Sequence, residues 1–155
     1  PYGTEALSTL RIEMGHVAGS ELDGRTIPYD ASLEGLVSKK KDFIGKRSLN
    51  RSAFTSTDRE KLVGVVPIDK TTSIPEGSYI VKDPKAKLPN PKLGHVSASC
   101  WSVEYDNPFS LAIIKDGKNM IGQKLFAMSP LKNKTIPVEI VSSHYVDPEG
   151  KRVRS

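Results

Sequence analysis

The sequence is poor in cysteine and in aromatic residues, with one cysteine, Cys100, and 6% aromatic residues among 155. A single cysteine cannot form an internal disulfide, so a reducing cytoplasm is the expected compartment. The few aromatic side chains give little material for a surface that stacks bases, and we expect no nucleic-acid partner. No apolar run approaches the roughly 18 residues of a membrane helix and no signal-peptide pattern is present, so we expect no membrane partner.

The sequence also lacks the common signatures of a self-sufficient active site. Its three histidines are scattered, and no group of His, Cys and acidic residues has the spacing of metal ligands. It contains no G-x-S-x-G, no phosphate-binding loop and no G-x-G-x-x-G. Cys100 lies in an alternating segment, which favours a packed thiol over a reactive one. We predict no catalytic residue and no metal site in this chain.

The residues that are present describe an ordinary globular chain with a basic surface. Hydrophobic residues make up 37% and charged residues 26%, without the composition of a disordered protein. The length suits one domain, or one small domain with part of another. A net charge of +5 does not choose among anionic partners, and a solvated basic surface is the favoured interpretation. The chain begins with Pro1 rather than Met, which we take as the mark of a longer protein.

The first sixty residues are predicted to be helical and irregular. Residues 4–14 form the first predicted helix, with Thr4 as its cap and Leu7, Leu10 and Met14 on an apolar face. Arg11 and Glu13 fall off this stripe and are expected to face solvent. Residues 15–36 contain four glycines and a proline, which predicts a folded-back loop that begins at the helix-ending Gly15.

A basic segment, residues 37–49, precedes a second predicted helix over residues 43–53. Asp42 is its predicted cap, Phe43 and Ile44 begin its apolar face, and Gly45 marks a close contact. The lysine triplet at 39–41 could attract a phosphate or a polyglutamyl tail, but we favour its interpretation as a solvated turn.

From residue 61 the hydrophobic period changes to that of strands. Six short segments rich in Val and Ile alternate with turn sequences, which predicts a small antiparallel barrel or sandwich. The predicted strands are 62–67, 78–82, 94–102, 110–115, 123–129 and 135–142. We place the boundary between the two parts near residue 60.

Several short motifs, in order, resemble the folate-binding aminomethyltransferase family, which includes the glycine-cleavage T-protein. The segment KKKDFIGKRSL at 39–49 resembles the family's D-F-I-G-[KR] segment, and the lysine triplet points to the sarcosine oxidase branch. The other motifs are 1–6 (PYGTEA), 10–15 (LRIEMG), 19–23 (GSELD), 62–65 (LVGV), 75–77 (PEG), 94–99 (GHVSAS), 138–141 (VEIV) and 145–152 (YVDPEGKR). The resemblance covers nearly the whole chain.

The resemblance implies an α+β architecture. The C-terminal part of a folate-binding aminomethyltransferase domain (1–60) precedes a small antiparallel β-barrel (61–155). It implies a place at the C-terminal end of a sarcosine oxidase alpha subunit, with beta, gamma and delta subunits as partners. The implied complex demethylates sarcosine oxidatively to glycine and passes the one-carbon unit to tetrahydrofolate. NAD and flavins would bind elsewhere in the complex, and this segment alone would be inactive.

Two residues are candidate folate contacts by the same resemblance. Arg11 matches the arginine of the family's Leu-Arg-[Leu/Ile]-Glu motif, although an ion-paired structural role is favoured. Tyr145 lies where the family folds its tail towards the folate cavity, and a barrel-edge aromatic is an equal alternative. The T-protein's folate-holding arginine is replaced by Leu7, and the family's Gly-Leu-Gly-Trp segment becomes Ser32-Leu33-Glu34-Gly35, without the tryptophan.

Two other functions remain open from the sequence. One is a dimethylglycine dehydrogenase type of tetrahydrofolate-dependent protein, which the same motifs would fit. The other, of a different class, is a basic module that binds nucleic acid or protein.

Overall fold

The computed structural model describes residues 1–87 and 89–154. Its helices are α1 (Thr4–Glu13), α2 (Lys46–Leu49) and α3 (Ser52–Thr55), with 3-10 turns at Glu34–Leu36, Gly117–Met120, Pro130–Lys132 and Arg152–Arg154. Its strands are β1 (Glu60–Pro67), β2 (Tyr79–Val81), β3 (Gly94–Ser102), β4 (Asn107–Lys115), β5 (Lys124–Ser129) and β6 (Lys134–Val141). No helix in these described ranges has the length and apolarity needed to cross a membrane.

The six strands close into an antiparallel barrel in the order β1-β4-β3-β2-β5-β6. Strand β1 pairs with β4 on one side and with β6 on the other, which joins the two ends of the sheet. This confirms the predicted α+β fold with a small antiparallel barrel. Strand β4 begins three residues earlier than predicted, because Asn107 already pairs with Ser102 across the β3–β4 hairpin.

Alternation along the strands separates two hydrophobic clusters. In β1, Val63 and Val65 point into the barrel, while Leu62 belongs to a cluster on its outer face. Valine, isoleucine, leucine and alanine fill the interior, which suits the close packing of a small barrel. The outer cluster contains Ile12 of α1 with Leu62, Ala98, Phe109 and Leu111. The first segment of the chain is therefore packed on the outside of the barrel.

Helix α1 is present as predicted, but the prediction of its buried face was wrong. Leu7 and Leu10 are each 52% exposed, whereas Ile12 and Glu13 are buried. Thr4 is not the cap, since Gly3 holds that position without a side-chain hydrogen bond. A tertiary contact of Glu13 overrides the apolar periodicity of the helix.

Glu13 joins three distant parts of the chain. Its Oε1 accepts hydrogen bonds from Ser102 Oγ at 2.6 Å and from the amide of Val103 at 3.0 Å. Its backbone carbonyl accepts the amides of Tyr145 at 3.1 Å and Val146 at 3.0 Å. A buried carboxylate is tolerated when donors satisfy it, and here those donors come from β3 and the following turn, while the segment after β6 donates to the backbone carbonyl.

Residues 37–53 differ from the prediction. The helix predicted over 43–53 is replaced by α2 and α3, of four residues each. Gly45 precedes α2 in the left-handed conformation, and a Cβ there would meet no neighbour, so the expected close contact is absent. Asp42 is not the cap of a helix, and Phe43 and Ile44 are exposed instead of packed. The lysines at 39–41 are exposed, as predicted.

Asp30 makes a second attachment between the first segment and the barrel. Its carboxylate accepts hydrogen bonds from Arg59 Nε at 2.9 Å, Lys61 Nζ at 3.2 Å and the Ile27 amide at 3.1 Å. Its backbone carbonyl accepts the Leu62 amide at 2.7 Å. Burial, the largest influence, acts to raise the pKa of Asp30, but the hydrogen bonds from Arg59, Ile27 and Lys61 together hold that pKa below its usual value.

Substitution of Gly15 by alanine should destabilise the protein far more than the same change at Gly45. Both glycines have positive φ, +68° and +96°, which costs an alanine about 1 kcal/mol. A Cβ on Gly15 would also lie 2.5 Å from the backbone oxygen of Ser143. We expect G45A to lose about 1 kcal/mol and G15A roughly 3 kcal/mol or more in the free energy of unfolding by urea. Equal losses would contradict this account of Gly15.

Asp30→Asn should lower the stability of the protein at pH 7 and make that stability depend less on pH. Because folding depresses the pKa of Asp30, its contribution is present above the usual value of 3.8 and is lost as pH falls through the lower folded pKa. We expect D30N to be about 2 kcal/mol less stable at pH 7, with the gap to wild type narrowing towards pH 2. Urea unfolding at pH 7 and near pH 2 measures the difference in stability between D30N and the wild type. A difference that is the same at both pH values would contradict the stabilising role of the Asp30 carboxylate.

Candidate functional site

A cavity of about 410 Å³ lies between the first segment and the outer face of the barrel. One wall comes from the loop after α1, a second from the residues that lead into β1, and the floor from strands β1, β3 and β4. The lining residues are Ser20, Glu21, Asp23, Arg25, Thr26, Asp30, Ala31, Asp58, Arg59, Glu60, Leu62, His95 and Ile113. Its volume would admit part of a small molecule.

Carboxylates outnumber cations in the cavity wall, with five acidic side chains against two arginines. Arg25 pairs with Asp23, with Nη2 2.6 Å from Oδ2, and Arg59 pairs with Asp30. The side-chain hydrogen bond from Arg25 lowers the pKa of Asp23 to about 2. Arg59 also donates to the carbonyl of Arg25 at 3.0 Å, which links the two pairs. Both arginines are thus held by the protein itself, and the wall is acidic overall.

Arg11 lies behind this wall. Its Nη1 is 3.2 Å from Oε2 of Glu21 and 3.4 Å from the carbonyl of His16. Glu21 is buried and also accepts the Ala18 amide at 2.8 Å and the Ser20 hydroxyl at 2.9 Å. Arg11 therefore neutralises a carboxylate that shapes the loop, which is the geometry of an ion-paired structural residue.

Tyr145 is placed elsewhere, in the outer hydrophobic cluster. Its ring is stacked on Phe109 with centroids 4.2 Å apart, and Tyr105 approaches at 4.7 Å with a tilt of 59°. Its hydroxyl lies 3.1 Å from Nδ2 and 3.2 Å from Oδ1 of Asn107. Tyr145 and Arg11 share no hydrogen bond among the described residues, and neither lines the 410 Å³ cavity. The structure does not bring the two predicted site residues into one site.

A second cavity, of about 220 Å³, borders the segment that resembles Gly-Leu-Gly-Trp. Glu34 forms an ion pair with Lys118 across its rim. Burial acts first to raise the pKa of Glu34, but the hydrogen bond from Lys118 leaves that pKa lowered. The lining residues are Ser32, Glu34, Leu62, Val63, Lys118, Ile121, Ser142, Ser143 and His144. Sequence reasoning did not identify this cavity, since its residues come from four separate segments.

The environment of Cys100 and the arrangement of the possible metal ligands bear on the chemistry available to these residues. Burial, and secondly the charge of Glu13, raise the pKa of the Cys100 thiol to about 12, so the thiolate nucleophile does not form near neutral pH. Within residues 1–87 and 89–154 no three His, Cys, Asp or Glu side chains converge as metal ligands. Asp30 and Arg59, which pair in the wall of the larger cavity, carried no signal in the sequence beyond being isolated charges.

Known proteins are similar to this chain in sequence and in fold. The sarcosine oxidase subunit alpha of Rhizobium meliloti (strain 1021) is 38% identical over 155 residues, covering 99% of this chain and 16% of that protein. The same subunit of Corynebacterium sp. (strain P-1) is 38% identical and covers 98% and 16%. An aminomethyltransferase of Synechococcus sp. (strain CC9902) is 30% identical over 145 residues, covering 91% and 37%. The chain therefore spans about one sixth of the length of its sarcosine oxidase relatives.

A solved structure shares the fold. The glycine cleavage system aminomethyltransferase T from Bartonella henselae superposes with a TM-score of 0.72 at 22% identity, covering 92% of this chain and 38% of that one. Residues 60–147 match the family described as the glycine cleavage T-protein C-terminal barrel domain, and they include all six strands. The chain belongs to the glycine cleavage T-protein C-terminal barrel family.

Proposed function

We propose that this chain performs the role of the matching segment of a sarcosine oxidase alpha subunit. The observation that carries the proposal is 38% identity along 99% of the chain to a protein of that name. Aminomethyltransferases also match, at 30% identity over 91% of the chain and at 32% identity over 81% of it. The greater identity and coverage favour the sarcosine oxidase branch over other members of the family.

The proposed complex oxidises the N-methyl group of sarcosine and releases glycine. The methyl carbon leaves at the oxidation level of formaldehyde, and tetrahydrofolate takes it up as methylenetetrahydrofolate. The electrons pass to a flavin, which we place with NAD outside this chain because no dinucleotide-binding glycine motif occurs in it. The beta, gamma and delta subunits are the proposed partners, and a cytoplasmic location follows from the same proposal.

Within that subunit, residues 1–60 would complete the folate-binding domain and residues 61–155 would form the barrel domain. The contacts of Glu13 and Asp30 support this division, because both join the first segment to the barrel through specific polar bonds. The barrel would then serve as a rigid support for the end of the folate domain.

The charge of the larger cavity argues for folate contacts mostly outside this chain. Folate carries a flat pteridine ring and a glutamate tail with two carboxylates. A wall of five carboxylates, with both arginines already paired, would repel that tail. We propose that this chain contributes the edge of Tyr145 to the folate site, and that Arg11 acts indirectly by fixing Glu21.

The complex that contains the whole subunit should convert sarcosine to glycine. We expect formaldehyde as the one-carbon product without tetrahydrofolate, and methylenetetrahydrofolate in its place when tetrahydrofolate is added. Mass spectrometry of both products measures this, with N,N-dimethylglycine as the parallel substrate. Turnover of dimethylglycine without turnover of sarcosine would replace the proposal with the dimethylglycine dehydrogenase type.

Tyr145→Phe in the whole subunit should weaken tetrahydrofolate binding about threefold to tenfold, because it removes the hydroxyl that bonds Asn107 and orients the ring. Tyr105→Phe is the matched control and should leave the Kd unchanged. Arg11→Ala should lower the melting temperature, while Kd stays constant at temperatures where the variant is folded. Calorimetric titration gives the Kd values. An unchanged Kd for Y145F, or a large loss for R11A in folded protein, would reverse the proposed roles.

A further inference from the structure

One loop of the chain has a high density of basic side chains. Residues 37–53 contain six basic side chains, at 39, 40, 41, 46, 47 and 51, and one acidic side chain, Asp42. Their net charge is +5 over seventeen residues. We call residues 36–53 the basic loop. Residues 61–155 also carry a net charge of +5, but it is spread over ninety-five positions, and residues 1–36 carry −4, so the basic loop has the higher density of positive charge.

The basic loop also exposes large apolar side chains. Ile44 is fully exposed at 104%, Leu36 is 80% exposed and Phe43 is 38% exposed. Burying a side chain of this kind is worth roughly 1.5 to 3 kcal/mol. Single exposed apolar residues are common, but three within nine residues, among cations, have the composition of a contact surface.

The loop has a defined shape that presents these side chains outward. Lys46 Nζ donates to the carbonyl of Lys41 at 2.7 Å and to that of Lys39 at 3.4 Å. Ser38 Oγ accepts the Lys41 amide at 2.9 Å, and Gly45 turns the chain with φ of +96°. Lys46 is directed into the loop, and the other five cationic side chains are exposed. A preformed loop loses less conformational entropy when it binds.

We propose that the basic loop docks on the acidic surface of a second polypeptide chain, with Ile44 and Phe43 in an apolar pocket ringed by carboxylates. Charge complementarity determines the chemistry of that partner, since a local excess of +5 requires acidic side chains around the contact. Apolar anchors at the centre with charges at the rim are the usual anatomy of a protein interface. That the partner is another subunit of the complex rests on the proposed function.

Other anionic partners fit the loop less well. Binding in the plane of a membrane calls for a long amphipathic helix, whereas α2 and α3 have four residues each. Nucleic acid would pair with the cations but would leave Ile44 uncovered, and Phe43 is the loop's only aromatic residue for stacking on bases. A protein surface satisfies both the charges and the apolar side chains.

Site-specific photocrosslinking on the native complex tests the proposal. Benzoylphenylalanine replaces Ile44, and in a matched control it replaces Leu131, which is 101% exposed on the turn between β5 and β6. We expect the probe at 44 to form an adduct with a peptide of a second polypeptide that is rich in Asp and Glu. The probe at 131 should give none with that peptide. Mass spectrometry maps the crosslinked peptides.

Charge reversal separates specific docking from chance proximity. The triple variant K39E/K40E/K41E should reduce the adduct at 44 by roughly tenfold or more, and salt should reduce it in the wild type. The triple variant K82E/K85E/K87E makes the same charge change at three exposed lysines before β3 and should leave the adduct unchanged. Circular dichroism and urea unfolding check that both triple variants are folded.

Each possible result of these experiments either supports or contradicts the proposed docking surface. The inference is supported if the probe at 44 forms an adduct with an acidic peptide of a second chain. That adduct should be lost in K39E/K40E/K41E and kept in K82E/K85E/K87E. Adducts confined to the same polypeptide, to lipid or to nucleic acid overturn the inference, as does no adduct or equal loss in both triple variants. An acidic partner that belongs to no sarcosine-oxidising complex would support the docking surface and contradict the proposed function.

Discussion

The position of α1 depends on one buried carboxylate, that of Glu13. A helix with Leu7 and Leu10 exposed has little apolar surface to place it on the barrel, so polar bonds must fix its position. Glu13 supplies them in two ways, through its side chain to Ser102 and Val103 and through its carbonyl to the segment after β6. Hydrogen bonds are directional, and these four together fix the helix in both distance and rotation. The outer cluster of Ile12, Phe109 and Tyr145 can then pack beneath it.

Asp30 fixes the position of the loop after α1, as Glu13 fixes the position of α1 itself. Its pairs with Arg59 and Lys61 hold the loop against the start of β1, and Asp30 and Arg59 line the 410 Å³ cavity. The cavity thus owes its form to charged groups that are already paired within the chain. Such a wall is shaped and rigid, but it has few free charges to offer a ligand.

The sequence predicted the barrel well because its signals are local. Alternating Val and Ile residues, separated by turns, identified all six strands, and the motif order identified the family. The buried face of α1 could not be predicted, since the bonds of Glu13 join residues nearly ninety or more positions apart. The prediction of one helix over residues 43–53 was wrong for a different reason. Gly45 takes a left-handed conformation, and Phe43 and Ile44 have no core to pack against. Arg11 was recognised as ion-paired, but its partner Glu21 was not foreseen.

The pairing of β1 with β6 also determines the order in which this protein can acquire its structure during translation. The barrel cannot close until residue 141 has left the ribosome, because Gly64 pairs with Val141. Helix α1 must wait slightly longer, for the amides of Tyr145 and Val146 that its Glu13 accepts. Until then the apolar faces of five strands lack their final partner, and nascent chains of that length are exposed to aggregation. Folding of this region is therefore completed only after the last strand and the residues behind it are synthesised.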